Sequence, residues 1–350
     1  MTATATEKKL KVFSGIQPTG KKTLGNYSGG FRQYVQTQAV GDAFFCIVDL
    51  HSITVEHDPE ELRTSTLDLA AMLFAAGLDA DKSTVFCQSH VTAHAEAAWL
   101  LAAVTSYGQL GRMTQFKDKS ESSDFISAGL FTYPILMAGD ILLYQTDLVP
   151  IGDDQRQHLE LARDVAERFN YRFGETFRVP GGQFPEIGGR IMDLQEPTKK
   201  MSTTFSSEQG AVYIADTSDQ IRKKFKSAVT DSEREIRYDP QTKPGVSNLL
   251  EIMSVATGDT IDDLVARFQG AGYGDLKEAV GESVVELLAP IQERFAALRA
   301  DERELQRLLA VGADKARRAA EPTLDLIYER MGFVRAEGGR YFGAARPRGL

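Results

Sequence analysis

The sequence predicts an α/β protein: a doubly wound, parallel, Rossmann-like sheet followed by a mostly helical C-terminal domain. Three observations predict it. Short apolar, β-branched runs alternate with long helical patterns through the first half. Beyond about Gln209 strand signals nearly vanish and helical patterns follow one another. The 350 residues, 42% hydrophobic and 25% charged, are enough for roughly two domains of ordinary globular composition.

Leu10 to Ser14, Ala43 to Val48 and Ser83 to Cys87 read as buried strands. Between the last two lies a helix with a readable start. Asp58 caps it, Pro59 suits the first helical position, and Glu60 and Glu61 favour the positive end of its dipole. Leu62, Leu69, Met72 and Leu73 then recur at helical spacing until Gly77 closes the run. A helix over about Ala93 to Ser106 follows, in which Trp99, the single tryptophan, reads as core beside Leu100 and Leu101. Strand–helix alternation implies parallel strands with right-handed crossovers, whose ligands bind beyond the carboxyl ends of the strands. Chemistry is therefore expected just after Ser14, Val48 and Cys87.

Tyr133 to Gln145 and Asp153 to Asn170 are helical patterns separated by an extended stretch, Leu148 to Ile151. The Gly- and Pro-rich segment from Val179 to Pro197 reads as loop with short strands. Helices are then expected over Ser218 to Ala228, Val246 to Thr257, Thr260 to Phe268, Leu276 to Leu298 and Arg303 to Met331. The boundaries that follow are a disordered lead (1–9), a catalytic α/β domain (10–208), a helical domain (209–302), a C-terminal helix packing back on the first domain (303–333) and an Arg-bearing tail (334–350).

The formal charge of −9 argues against general polyanion binding. It is uneven: acids exceed bases by 7 up to Glu208 and by 2 beyond it. Arg222-Lys223-Lys224-Phe225-Lys226 and Arg317-Arg318 could face a polyanion locally, or be solvated helix faces. No apolar run approaches the ~20 residues of a membrane span, and Met1 to Lys9 lacks the apolar core of a secretory signal. Cys46 and Cys87 alone cannot form a disulfide framework or a four-thiolate metal site. A cytoplasmic, metal-independent protein is expected.

Directly after the first strand runs Phe13-Ser-Gly-Ile-Gln-Pro-Thr-Gly-Lys-Lys-Thr-Leu-Gly-Asn-Tyr27. Gly15 to Lys21 fits G-x-x-x-x-G-K, yet Lys22 stands where a P-loop needs Ser or Thr, and Pro18 removes a backbone donor. A helix opening at Thr23-Leu24-Gly25-Asn26 fits better: its N–H groups can hold phosphate, Gly25 admits a nucleotide, and Thr23 and Asn26 add neutral donors.

That string resembles the HIGH motif of class I aminoacyl-tRNA synthetases, with Thr23 and Asn26 in place of two histidines, and in its wider form the tryptophanyl-tRNA synthetase family. Downstream, Pro197-Thr-Lys-Lys-Met-Ser-Thr-Thr204 is similar to the family's KMSKS loop. So are Arg112 to Lys119, Tyr133-Pro134 with Met137 to Asp140, and Gly152 to Gln155 with Gln157 to Glu160. The resemblance runs from about Val12 to about Phe333 and implies bacterial-type activation of L-tryptophan by ATP, followed by transfer to tRNA(Trp). It also implies a homodimer, with tRNA spanning both subunits and the apolar stretch Phe125 to Tyr133 available to the interface.

Adenylation needs no strong base, because the amino-acid carboxylate is already the nucleophile. Catalysis is then positioning and neutralisation of phosphate charge. Gln17, Thr23 and Asn26 would supply donors, and Lys200, Lys117 and Lys119 positive charge, with Mg2+ accompanying ATP. The resemblance implies that Pro18, Thr19 and Gly25 line the ATP site, that Gly152, Asp153 and Asp154 hold the ribose, that Ile191 and Met201 sit by the adenine, and that Ser202, Thr203 and Thr204 complete the loop. Asp140, alone in an apolar helix, would accept from the indole N–H, a donor-only group. Tyr133 and Gln155 would bind the amino and carboxylate end, and Phe13, Val48, His51, Met137, Ile141 and Val149 would wall the ring. A required hydrogen bond of this kind rejects an analogue lacking it by about 10⁴–10⁵, so phenylalanine should be excluded without editing.

One departure is evident. Thr203 stands where the family's loop carries a second Lys, and losing such a charge corresponds to roughly 3–4 kcal/mol of transition-state stabilisation. Lys119, Lys199 or a tighter magnesium are candidates to compensate. Cys87, His90 and His94 have a spacing that could bind metal, but no fourth ligand is evident. The rival readings are a tyrosyl-tRNA synthetase, a P-loop ATPase and a non-catalytic paralogue that binds tryptophan or tRNA.

Overall fold

A computed structural model describes residues 9–121, 125–152, 155–183, 191–202 and 206–334, with the backbone alone at 40 and 118–121. The expected lead and tail therefore lie, save for Lys9 and Val334, outside the described residues.

Alternation along the strands sets up the layers. β1 (Lys11–Ile16) pairs in parallel with β2 (Asp42–Ile47), in register from Lys11 opposite Asp42 to Ile16 opposite Ile47. Between them the chain forms α1 (Leu24–Asn26), a π-helical turn (Tyr27–Phe31) and α2 (Arg32–Val40). After β2 come α3 (Asp49–Ser52) and α4 (Pro59–Ala75), then β3 (Thr84–Cys87), α5 (Ala93–Ala102), α6 (Tyr107–Leu110), α7 (Thr114–Glu121) and α8 (Ala128–Leu142). β4 (Leu148–Pro150), α9 (Arg156–Phe173) and β5 (Gly181–Gln183) complete a parallel sheet of order β3-β2-β1-β4-β5. In β2, Phe45 and Ile47 point into one core with Leu69 and Leu73 of α4, whereas Phe44 and Cys46 point into the other with Leu101, Ile141 and Phe169. Both faces of β2 are thus covered, which is why it reads as an unbroken apolar run.

Asp58 caps α4 by accepting from the Glu61 N–H at 2.8 Å, with Pro59 at the first helical position. Gly77 (φ +115°) turns the chain after it, in a conformation that L side chains rarely adopt. The α8 helix starts five residues earlier than its pattern predicts, because the Ser127 hydroxyl caps it on the Leu130 N–H and Pro134 is carried inside it. Trp99 is a correction: it is 80% exposed. Leu100 and Leu101 are buried, but successive residues on a helix lie about 100° apart, so neighbours in sequence do not share a face.

The helical part consists of α10 (Ser218–Lys226), α11 (Pro244–Thr257), α12 (Ile261–Arg267), α13 (Tyr273–Ala300) and α14 (Glu302–Met331). Its separation at about Gln209 is a change of composition and not a gap in packing. One hydrophobic cluster joins Leu69 and Val85 to Leu249, Val280 and Val284. α14 returns to the sheet and crosses β3 so closely that a Cβ on Gly312 would lie 1.8 Å from the Val85 carbonyl oxygen. The basic run of α10 is half committed internally. Lys224 is buried on Asp216 at 2.6 Å, and Arg222 grips Glu282 through two bonds of 2.6 and 3.0 Å. Arg317 likewise pairs with Asp314, leaving Lys223, Lys226 and Arg318 as the outward members.

Candidate active site

The sheet order reverses between β1 and β4, and at that fork the carboxyl ends of the two strands part. A cavity of about 550 Å³ opens there, lined by Ile16 and Gln17 at the end of β1 and by Pro150, Ile151 and Gly152 at the end of β4. It runs on into a smaller recess of about 240 Å³ bordered by Gly25, Asn26, Lys200 and Met201.

At the closed end sits Asp140 of α8, 1% exposed. Its Oδ1 accepts from Gln88 Nε2 and His94 Nδ1, both at 2.6 Å, and its Oδ2 lies 2.8 Å from His51 Nε2. Burial alone would raise its pKa, but the bonds and charges of the two histidines outweigh that and bring it down to about 2. An ionised carboxylate only accepts, so both histidines donate to it, and His94 Nε2 lies 2.8 Å from the Tyr144 hydroxyl. A carboxylate offers about four acceptor sites, and the three donors leave one on Oδ2. All nine residues expected around the indole and the amino-acid backbone line this cavity: Phe13, Val48, His51, Tyr133, Met137, Asp140, Ile141, Val149 and Gln155. The Tyr133 hydroxyl lies 2.6 Å from His158 Nε2, and burial pushes its pKa up to about 12, so it stays protonated.

The open end is built differently. Thr23 caps α1 in a closed pair: its hydroxyl donates to Asn26 Oδ1 at 3.1 Å, and its oxygen accepts the Asn26 N–H at 3.3 Å. Thr23 is 1% exposed and does not line the cavity, so its position is that of a cap and not of a phosphate donor. The Leu24 N–H is also engaged, by the Val212 carbonyl at 2.8 Å, so two of the donors expected for phosphate are already paired. Gln17, Thr19 and Asn26 line the cavity, whereas Pro18 is buried behind it. Gly25 faces the Met201 backbone, and Ile191 is buried beneath Met201, accepting from its N–H at 3.0 Å. The Ser202 N–H donates to Ser206, and Lys200 is exposed on the recess wall. Lys199 is paired with Glu196 at 2.5 Å, and Lys117 is exposed on α7. Asp153, Asp154, Thr203 and Thr204 lie outside the described residues, as does the side chain of Lys119.

The chain matches the family described as tRNA synthetases class I (W and Y) over residues 5–289. A tryptophan–tRNA ligase from Caldanaerobacter subterraneus subsp. tengcongensis is 52% identical over 324 residues, covering 93% of this chain and 98% of the relative. The chain belongs to the bacterial tryptophanyl-tRNA synthetase family.

Solved tryptophanyl-tRNA synthetases share its fold. That of Mycoplasma pneumoniae superposes with a TM-score of 0.84 at 38% identity, over 93% of this chain and 98% of the other. That of Campylobacter jejuni, complexed with ADP and tryptophane, gives 0.81 at 33% identity, over 93% and 100%. Three supports of Asp140 carry little or no signal of that role in the sequence. Gln88 has no local pattern at all, and Tyr144 reads as core. His94 carries a signal, since its spacing from Cys87 and His90 marks it as a polar residue needing a partner; that partner is a carboxylate and not a metal. Val212 to Ile214, which pair with Lys22 to Leu24 from beyond the expected domain boundary, were missed as well.

Proposed function

We propose that this chain condenses L-tryptophan with ATP to tryptophanyl-adenylate and pyrophosphate, then transfers the tryptophanyl group to the terminal adenosine of tRNA(Trp). One observation carries the choice of amino acid: a buried, ionised carboxylate held by three donors, with one acceptor site left, at the end of an apolar slot. Indole N–H is a donor and nothing else, so it fits that site and is missed if absent. The relatives named tryptophan–tRNA ligase, and the Campylobacter jejuni structure holding tryptophane, support the same reading.

A tryptophan carboxylate oxygen attacks the α-phosphorus, a P–O bond forms, and the bond to the departing pyrophosphate breaks. The chain supplies geometry and charge. Tyr133 and Gln155 take the amino-acid backbone; Gln17, Asn26 and Lys200 face the phosphates; Gly152 lies by the ribose and Met201 by the adenine, with Ile191 supporting Met201 from below. Among the described residues Asp140 is the one carboxylate that lines the cavity and its recess, and three donors engage it. Mg2+ would enter as the ATP salt and supply positive charge to the phosphates.

The proposed assembly is a homodimer. Trp99 and Ile53 (52% exposed) line an apolar groove of about 490 Å³ with Ser127, and the exposed Phe125 (80%) and Ile126 (47%) precede Ser127 in the chain; a second copy would cover this face. The proposed location is the cytoplasm: Cys46 and Cys87 are buried, unpaired thiols whose pKa burial drives upward, and no described helix is long and apolar enough to cross a membrane.

Amino-acid-dependent ATP–pyrophosphate exchange, run separately with each standard amino acid, tests the reaction. Exchange with tryptophan alone is expected. Preference for tyrosine selects the nearest rival, and absence of exchange in a folded, tryptophan-binding protein selects the non-catalytic one.

A further inference from the structure

Lys22 occupies the place where a P-loop would carry a magnesium-binding hydroxyl, and no part of the reading above uses it. The structure puts it on the wall shared by the main cavity and its recess, beside Asn26 and Gly152. Its Nζ donates to the Gln17 carbonyl at 2.9 Å and to the Thr19 carbonyl at 2.7 Å. An ammonium has three N–H donors, so one remains. Among the described residues that line the cleft, Lys22 and Lys200 are the two ammonium groups, and they come from different segments of the chain. The other lysines nearby are otherwise placed: Lys21 lies over the Tyr213 ring and Lys199 is paired with Glu196.

We propose that Lys22 is a ligand of the ATP phosphate chain, pinned by two carbonyls of the 15–21 turn so that its remaining N–H and its charge face the triphosphate opposite Lys200. This deepens the proposed function and rests on its placement of ATP in the cleft. Burial lowers the Lys22 pKa to about 8, and such an ammonium, partly stripped of water, gains more from an arriving polyanion than an exposed one. It also answers a deficit in the sequence: the Lys200-Met-Ser-Thr-Thr204 loop carries one ammonium where two are usual, and Lys22 supplies the second from the opposite side.

The bland alternative is that Lys22 merely holds the turn in shape. Binding of ATP, AMP and tryptophan to the wild-type chain, Lys22→Met and Lys22→Arg, measured by isothermal titration calorimetry, separates the two. A phosphate-chain ligand predicts that Lys22→Met weakens ATP by tenfold or more, in the range of about 10–100-fold for a lost charge-assisted bond, while AMP and tryptophan are unchanged. Lys22→Arg, which keeps the charge, should recover most of the ATP affinity. Unchanged ATP affinity in Lys22→Met, or an equal loss for AMP, overturns the proposal. Exchange with tryptophan in the wild-type chain is scored alongside: its absence together with a selective ATP loss sinks the reaction while leaving Lys22 as a phosphate ligand.

Discussion

The two ends of the cleft are built on opposite principles. At the indole end every polar group is buried and paired before any ligand arrives: Asp140, His51, Gln88, His94 and Tyr144 form one network with a single acceptor to spare. At the phosphate end the polar groups are exposed or half-buried, come from separate segments, and face open solvent across the recess. Preorganisation in a low dielectric makes a missing bond costly and so yields selectivity, whereas charged groups in contact with water gain their strength only when the ligand displaces that water. On the proposed reading, recognition of the amino acid is a property of the folded core, and handling of ATP a property of its rim.

Breaking the indole network should have the largest effect. Asp140→Ala removes the acceptor and leaves three donors unpaired in the core; tryptophan-dependent exchange should fall by at least a hundredfold in kcat/KM, and the melting temperature should drop, as about 3 kcal/mol or more is lost. A normal rate in this variant would show that the carboxylate does not read the indole. Tyr144→Phe touches the same network one bond further out, since it removes only the partner of His94 Nε2. The KM for tryptophan should rise by about fivefold to tenfold, corresponding to roughly 1 kcal/mol, with the KM for ATP unmoved.

A milder probe is acid. The folded pKa of Asp140, about 2, lies below the roughly 4 of an unfolded Asp, so the unfolded chain takes up the proton first. Its stabilising contribution is fully present above about pH 4 and is lost as the pH falls toward 2. Denaturant titrations of wild type and Asp140→Asn should therefore differ most above pH 4 and converge as the pH falls to about 2; a constant difference would contradict the assignment of an ionised carboxylate. On the outer surface, Trp99→Asp places a charge on the apolar face and should convert the proposed homodimer to monomer in sedimentation, with tryptophan binding by the isolated chain retained. The smallest effect is expected from Thr23→Ala, which removes a helix cap and not a phosphate donor: about 1 kcal/mol of stability, and little change in the KM for ATP. A large rise in that KM would return Thr23 to the ATP site.

The same contrast governs how much was legible beforehand. The strands, the capped start of α4 and the long helices follow from local rules, because apolar periodicity and capping are written within a few residues of each element. Trp99 misled because adjacency to two buried leucines says nothing about helix face. Lys22 was read as a defect in a motif, since its side-chain amine meets the Gln17 and Thr19 carbonyls only once the turn has folded.

The sequence by itself determined the alternating α/β order, and its resemblance to a known family supplied the nine residues that line the cavity at the sheet ends. Only the tertiary structure decided that Asp140 is charged, that Gln88 and His94 hold it, that Thr23 is a cap, and that Val212 to Ile214 brace the first turn from across the domain boundary. The physical reason is range. Hydrophobic period and capping act over a few residues, whereas an ionisation state is set by whichever distant groups the fold brings within about 3 Å in the absence of water.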